Sequence, residues 1–289
     1  MRSIRAGAAV LALTVAGGAA SPARAAFVAE YFNNIGTTGA PLFGFSGWQG
    51  TTNSTTYVAG TQVIYTAPGY SAAGNESDAN DGAASGSNTG NIVYRSTGAM
   101  TGTVWISAVV NQTAINSDVL LWLDKTNTNA NGVDRDFAAL RGSTGTTGTS
   151  SPPEALIAYD GADDGGDTTD FAINTPHLIL LKIDLNHSAL LDRITYWVDP
   201  DLSGGEAGLG MAVGNPNGPK YVKSTVDAYG NTFDGVGLTF RDTASTLDAL
   251  RVSNDADGFV WVTTGVPEPT TAALLGVAAV GLCARRRRR

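Results

Sequence analysis

The sequence predicts an all-β protein, built as a two-sheet antiparallel sandwich between two short terminal segments. Four observations support this fold class. Apolar runs are short, several alternate with polar residues at a period of two, and Gly, Ser, Thr, Asn and Asp dominate the connections. Helix-period patterns are scarce except at the two ends of the chain.

The strand pattern is clearest in the middle of the chain. Every second residue from Val104 to Val110 is apolar, as is every second residue from Ile179 to Leu185, so each set shares one face of a strand. Segment 118–123 is apolar on both faces, which is typical of a strand at the centre of a sandwich. The predicted strands are 27–32, 62–66, 91–95, 103–112, 118–123, 136–141, 155–159, 177–185, 193–198, 236–241, 247–253 and 259–263.

Long polar segments separate these strands. We predict loops at 69–90, 126–134, 142–153, 160–170 and 202–220, and loops of this length are usually functional or poorly ordered. No linker divides the region between the terminal segments. We therefore predict one β domain over residues 26–265.

The N-terminal segment has the three parts of a secretory signal peptide. Arg2 and Arg5 form a basic start, residues 6–20 are apolar, and Ala23-Arg24-Ala25 forms a small-residue cleavage site. We predict that residues 1–25 are removed by cleavage before Ala26. An uncleaved N-terminal anchor is the alternative.

The C-terminal segment, residues 266–289, also has three parts. Pro267, Glu268 and Pro269 precede a nearly apolar stretch at 272–284, and the sequence closes on a basic cluster of Arg285, Arg286, Arg287, Arg288 and Arg289. A membrane-spanning helix needs about 20 apolar residues, so this short hydrophobic helix favours temporary contact with a membrane enzyme. The arginines favour the cytoplasmic side. A permanent tail anchor is the alternative.

This arrangement resembles the sorting signal of the PEP-CTERM family of exported bacterial proteins. The resemblance implies processing by an exosortase-type membrane protease and transient contact with the inner membrane. It also implies a final location at the cell surface or in the extracellular matrix of a Gram-negative-type bacterium. By the same resemblance, such proteins accompany exopolysaccharide and biofilm systems.

A second resemblance covers about a third of the domain. Segments 178–185, 192–200 and 247–252 form a hydrophobic strand, an aromatic strand that ends near Asp199-Pro200, and an "Asp-x-Leu-Arg" strand. Together they resemble the later strands of concanavalin A-like, laminin-G-like jelly rolls. The resemblance implies a jelly-roll topology.

Charge and cysteine content exclude several functions. The chain carries −8, but eight of its 18 basic and one of its 26 acidic residues lie in the terminal segments, which leaves −15 on the domain. Such a surface repels nucleic acid, so no nucleic-acid partner is predicted. The one cysteine, Cys283, lies in the C-terminal segment, so the domain has neither disulfide nor thiol chemistry.

Catalytic patterns are weak, and we predict no enzyme. The domain has four glutamates, and Glu76-Ser77-Asp78, in a polar loop, is its one Glu-x-Asp pattern. Glycosidases of the resembling fold need paired carboxylates on a strand. His177 opens a predicted strand and His187 follows it in a turn, where strand-end packing is the simpler interpretation.

Two sites are candidates for ligands. The loop at 160–170 concentrates five carboxylates, which suit calcium, although a solvated acidic loop is the alternative; they belong to Asp160, Asp163, Asp164, Asp167 and Asp170. Trp48, in a Gly-rich run, is the best candidate for an exposed sugar-stacking platform, whereas Trp105, Trp122 and Trp197 fall within strands and are expected to pack.

The preferred hypothesis is therefore an exported, exosortase-sorted surface or matrix protein of structural or adhesive type. The alternative is a lectin-like module that binds extracellular polysaccharide, with calcium as a candidate cofactor. A polysaccharide hydrolase or lyase is a third hypothesis, and the sequence shows neither paired carboxylates nor a basic cluster for it.

Overall fold

The computed structural model describes a β-sandwich followed by one short helix. The described residues are 27–30, 32, 38–42, 44, 47–50, 55–59, 63–71, 82–86, 92–113, 118–123, 137–144, 150–159, 162–167, 171–188, 191–226, 232–240 and 245–265. The signal segment, the acidic ends of the predicted calcium loop and the sorting segment with its short hydrophobic helix lie outside them.

Fifteen strands of the described residues form two antiparallel sheets. The eight-stranded sheet contains β1 (Phe27–Glu30), β3 (Thr55–Ala59), β4 (Gly82–Gly86), β6 (Thr103–Asn111), β11 (Pro176–Ser188), β12 (Leu191–Val198), β13 (Tyr221–Val226) and β15 (Thr246–Ser253). The seven-stranded sheet contains β2 (Trp48–Gln49), β5 (Val93–Met100), β7 (Asp118–Leu123), β8 (Phe137–Thr144), β9 (Ser150–Tyr159), β10 (Ala162–Asp167) and β14 (Phe233–Phe240).

The strand order shows which strands lie inside each sheet. It runs β13-β12-β11-β6-β15-β4-β3 in the first sheet, where β1 also pairs with β15, and β10-β9-β8-β7-β14-β5-β2 in the second. The predicted two-sheet antiparallel sandwich is therefore confirmed.

A central core fills the space between the sheets. The alternating residues of β6 and β11 that were predicted to share a face, from Val104 to Val110 and from Ile179 to Leu185, all lie in it. Their partners on the facing sheet include Val119, Leu121 and Leu238. The period-two pattern thus predicted the inward face of both strands.

Several predicted boundaries need correction. Segment 259–263 lies in a helix, α1 (Gly258–Thr264), rather than in a strand, and the described part of the predicted strand 62–66, residues 63–66, is irregular backbone. The predicted loop at 160–170 contains β10, which pairs with β9 through a bulge between Asp163 and Gly165. The predicted loops at 69–90 and 142–153 contain β4 and the ends of β8 and β9.

The prolines of β9 fit the observed pairing. Pro153 pairs with Gly142 of β8, whereas β10 pairs with β9 only from Ala155 to Tyr159. A proline cannot donate to a sheet, so it is tolerated where one side of a strand has no neighbour. This arrangement lets β9 begin earlier than its apolar sequence suggests.

Candidate functional site

The outer face of the eight-stranded sheet carries a second apolar cluster, which we call the outer core. Trp105 and Val109 of β6, Leu178 and Leu180 of β11 and Trp197 of β12 form its floor. Three segments cover this floor. They are the irregular segment with Val63, the connection with Leu202 and Leu209, and helix α1 with Phe259 and Val262. All three therefore pack against this face of the sheet.

Residues 199–220, which we call the cover loop, are ordered by specific contacts. The Trp197 indole N–H donates to the Gly210 carbonyl at 3.2 Å. Asn217 Nδ2 donates to the carbonyls of Asp201 and Gly208, at 2.8 and 2.9 Å. A Cβ at Gly210 would lie 2.9 Å from the Gly218 Cα, so the backbone around Gly210 packs directly against the backbone around Gly218. The 3-10 turn Glu206–Gly208 is held in this loop.

The "Asp-x-Leu-Arg" segment holds the rest of the cover. Buried Asp248 accepts from the Val63 N–H at 3.3 Å. Buried Arg251 donates to the Val262 carbonyl at 3.1 Å and to the Ser71 carbonyl at 2.8 Å. The first bond satisfies a carbonyl at the end of α1 that the helix leaves unpaired, and the second holds the segment that contains Ser71. The motif is structural, because it fixes the segments laid over the sheet.

A polar pocket of about 350 Å³ opens where the cover loop meets the turn before α1. Its lining residues are Thr101, Gly102, Thr103, Trp105, Lys182, Glu206, Asn254, Asp255 and Ala256. The volume is at the lower end of the range of small-molecule sites, roughly 300–1,000 Å³. The pocket is therefore suited to a ligand the size of one sugar unit.

The Lys182 ammonium dominates the electrostatics of the polar pocket. It lies 2.9 Å from Glu206 Oε1, 3.9 Å from Asp184 Oδ1 and 5.1 Å from the centroid of the Trp105 ring. Asp184 also accepts from the Thr103 hydroxyl at 2.8 Å. Trp105 stacks on Trp197 at 6.0 Å and is only 3% exposed, so it forms the base of the pocket rather than an open platform.

A second polar cluster lies at the other end of β11. His177 Nδ1 is 2.6 Å from Asp199 Oδ2, and His177 Nε2 is 2.9 Å from the Ala172 carbonyl. Asp199 also accepts from the Leu178 N–H at 2.8 Å. Strand-end packing thus understates the role of His177, while His187 is exposed within β11 rather than in a turn.

Trp48 is not the exposed platform that the sequence predicts. It is 1% exposed, stacks on Phe32 at 6.0 Å and donates its indole N–H to Glu30 at 3.2 Å. Arg95 pairs with the same carboxylate. The positive φ of Gly44 and Gly47 turns the chain so that Trp48 enters the sandwich. The exposure prediction is therefore wrong, and Glu30 joins strands of the two sheets.

The remaining predicted sites are only partly described. Asp163, Asp164 and Asp167 lie on β10, and their side chains lie outside the description, as do Asp160 and Asp170. The sorting residues Pro267, Glu268, Pro269 and Arg285–Arg289, and the cleavage residues Ala23, Ala25 and Ala26, are also outside it. Among the described side chains, no group of three or more His, Cys, Asp or Glu gathers as a metal site would.

Comparison with known proteins identifies the sorting segment. Residues 265–288 match the model of the PEP-CTERM protein-sorting motif, which indicates export and surface sorting in bacteria. No curated protein matches the chain in sequence. In the described part of the chain, no helix has both the length and the apolar character needed to cross a membrane.

Solved structures that show a remote likeness to this chain include a calreticulin domain, a plant lectin and a β-glucanase domain. The T. cruzi calreticulin globular domain is 11% identical with a TM-score of 0.42, covering 84% of this chain and 100% of that chain. Peanut lectin is 7% identical with a TM-score of 0.38, covering 78% and 97%. A GH131 β-glucanase catalytic domain from Podospora anserina is 9% identical with a TM-score of 0.36, covering 76% and 85%. The two-sheet antiparallel sandwich expected from the sequence rests on the strand order of this chain itself.

Proposed function

We propose that the protein is an exported, non-enzymatic surface or matrix protein whose C-terminus is processed by an exosortase-type protease. The match of residues 265–288 to the sorting motif carries this proposal. The motif begins at the residue that follows α1, so the signal starts where the described domain ends.

The test replaces Pro267, Glu268 and Pro269 with alanine in the natural host. We expect an unprocessed protein, retained with its C-terminal segment, because the recognition residues are gone. Intact mass and cell fractionation give the readout. A control carries alanine at Met211 and Val213, which are 44% and 59% exposed on the cover loop. Processing of the triple variant at the control's rate would contradict the proposal.

A second candidate function is polysaccharide binding, and the polar pocket favours it. A carbohydrate site needs hydrogen-bonding groups beside an apolar surface, and the pocket offers Thr103, Lys182, Glu206 and Asn254 next to Trp105. The alternative function is thus a lectin-like module, with calcium at the five aspartates of residues 160–170 as a candidate cofactor.

A glycan array, probed with and without a chelator, tests this second function. We expect selective binding of a few saccharides and its loss in Glu206→Ala, while the Met211 and Val213 control binds normally. Loss of signal with chelator supports the calcium site. Uniform background on every glycan would exclude the lectin function and leave the sorting proposal intact.

A further inference from the structure

The Lys182 ammonium occupies a site that has the features of a cation-binding pocket. It lies over the face of Trp105, where the ring quadrupole attracts a positive charge, and it contacts the carboxylates of Glu206 and Asp184. An aromatic face and two carboxylates around one ammonium form a general arrangement for holding a primary amine.

The charge in and around the polar pocket favours a cationic ligand. Lys182 is outnumbered by Asp184, Glu206 and Asp255, which leaves about two negative charges, and the whole domain carries −15. A field of this sign lowers the local concentration of uronates or sulfated sugars and raises that of amines. The net negative charge therefore attracts an amine and repels an anionic sugar, although the amine must displace the Lys182 ammonium.

The ammonium of Lys182 can be exchanged without rebuilding the sheet. Lys182 has a flexible four-carbon stem, and its closest partner, Glu206, is 49% exposed on the cover loop. The backbone of Lys182 stays paired with Trp105 and Thr195 whatever its side chain does. A ligand ammonium of equal charge could thus take its position, while Thr103 and Asn254 face the neighbouring hydroxyls of a sugar.

We infer that the polar pocket binds a saccharide with an unacetylated primary amine, such as a glucosamine unit of a polymer. The ligand ammonium replaces that of Lys182 between Glu206 and the Trp105 ring. This inference rests on the proposed polysaccharide-binding function and names its ligand class. It gives Lys182 an unusual role, because the lysine competes with the ligand rather than contacting it.

The test titrates the processed protein with glucosamine oligomers, matched N-acetylglucosamine oligomers, oligogalacturonate and oligolysine. We expect the glucosamine oligomer to bind at least about tenfold more tightly than the acetylated one, because acetylation removes the charge. Lys182→Met should raise that affinity severalfold by removing the competitor, whereas Glu206→Gln should lower it about tenfold. Lys220→Met is the matched control, since its ammonium lies over Phe171 outside the pocket.

Each other outcome has a definite meaning, provided circular dichroism shows that the variants are folded. Equal binding of both hexosamine oligomers overturns the inference but leaves polysaccharide binding in place. Absence of binding to all three oligosaccharides overturns the inference, and the glycan array then decides whether the protein binds another polysaccharide. Oligolysine binding as tight as glucosamine binding excludes a sugar-specific site, and weaker binding by Lys182→Met makes the lysine a ligand contact and refutes the exchange.

Discussion

Asp199 shows how one side chain can organise several segments. It follows β12 with a positive φ of 50°, a conformation that Asp tolerates better than most residues. Its carboxylate accepts from Leu178 and His177. Burial, followed by the charge of Asp199, raises the pKa of Tyr65 well above its usual range. Asp199, at the end of β12, therefore ties this strand to the start of β11.

The contacts of Asp199 favour the charged form of His177. Both ring nitrogens face acceptors, a carboxylate and a carbonyl, and an imidazole donates to both only when it is protonated. Burial lowers the pKa of His177, but the bonds to Asp199 and Ala172 outweigh it, and the pKa is raised. The imidazolium thus contributes to stability only while it remains protonated.

A pH-dependent stability follows from the raised pKa of His177. The contribution is complete below the unfolded pKa of about 6.5 and is lost as the pH rises through the folded pKa. In that window the free energy of unfolding should fall by up to about 1.4 kcal/mol per pH unit. His177→Gln should remove this slope in urea unfolding, and His187→Gln, at the other histidine, should retain it. Equal slopes in both variants would contradict the assignment.

At the scale of the element, the sequence predicted the interior strands, apart from β4, and missed the strands at the two ends of each sheet. Strands β6, β7, β11 and β14 bury apolar side chains on a neighbour at each side, so their patterns are strong. The four edge strands β2, β3, β10 and β13 were not predicted. An edge strand has one neighbour and less to bury, so its sequence need not alternate clearly.

Helix α1 was misread because its residues favour strands in isolation. Phe259, Val260, Trp261 and Val262 are aromatic or β-branched, and tertiary contacts override that preference. Phe259 and Val262, three positions apart, enter the outer core together, whereas Trp261 meets Phe27 edge to face at 5.3 Å. Gly265, at φ 72°, ends the helix as a left-handed cap.

The polar pocket could not be predicted because its parts are distant in sequence. Thr103, Lys182, Glu206 and Asp255 come from four segments, and none belongs to a short motif. The register of β6 and β11 pairs Lys182 with Trp105 and Asp184 with Thr103, and so brings Lys182 and Thr103 together. A sequence shows the alternation of apolar and polar residues within one strand, but it does not show the register between two paired strands.

The close approach of Gly69 to Leu202 in the cover loop predicts that a side chain at position 69 would destabilise the protein. A Cβ at Gly69 would lie 2.3 Å from the Leu202 carbonyl oxygen, and the φ of 82° is also unfavourable for alanine. Gly98 has a similar φ of 73° with nothing within 4 Å of its Cβ position. Both alanine variants should lose about 1 kcal/mol to backbone strain, and Gly69→Ala at least about 2 kcal/mol more. Thermal unfolding that gives equal losses would contradict the close approach.

On the scale of the whole molecule, the described domain has three layers with two apolar interiors. The eight-stranded sheet is the middle layer, because its inner face meets the seven-stranded sheet and its outer face meets the cover loop and α1. Helix α1 therefore belongs to the folded domain and is not a linker to the sorting motif.

Truncation tests whether α1 is part of the folded domain or only a linker to the sorting motif. A variant of residues 26–265 should unfold at the same temperature as one of residues 26–289, which keeps the C-terminal segment. A variant that ends at Asp257 loses the burial of Phe259 and Val262, worth roughly 1.5–3 kcal/mol each, and leaves Ser107 and Arg251 without their bonds to Val262. Its melting temperature should fall by about 10 °C or more. Identical melting of the two variants would make α1 a passive extension.

Helix α1 is the short connection between the polar pocket and the sorting motif. Its seven residues span about 10 Å, with the polar pocket beside the turn at its first end and the sorting motif starting at its last. Along the chain, the length of this helix alone therefore separates the turn that lines the polar pocket from the residue at which the sorting motif starts.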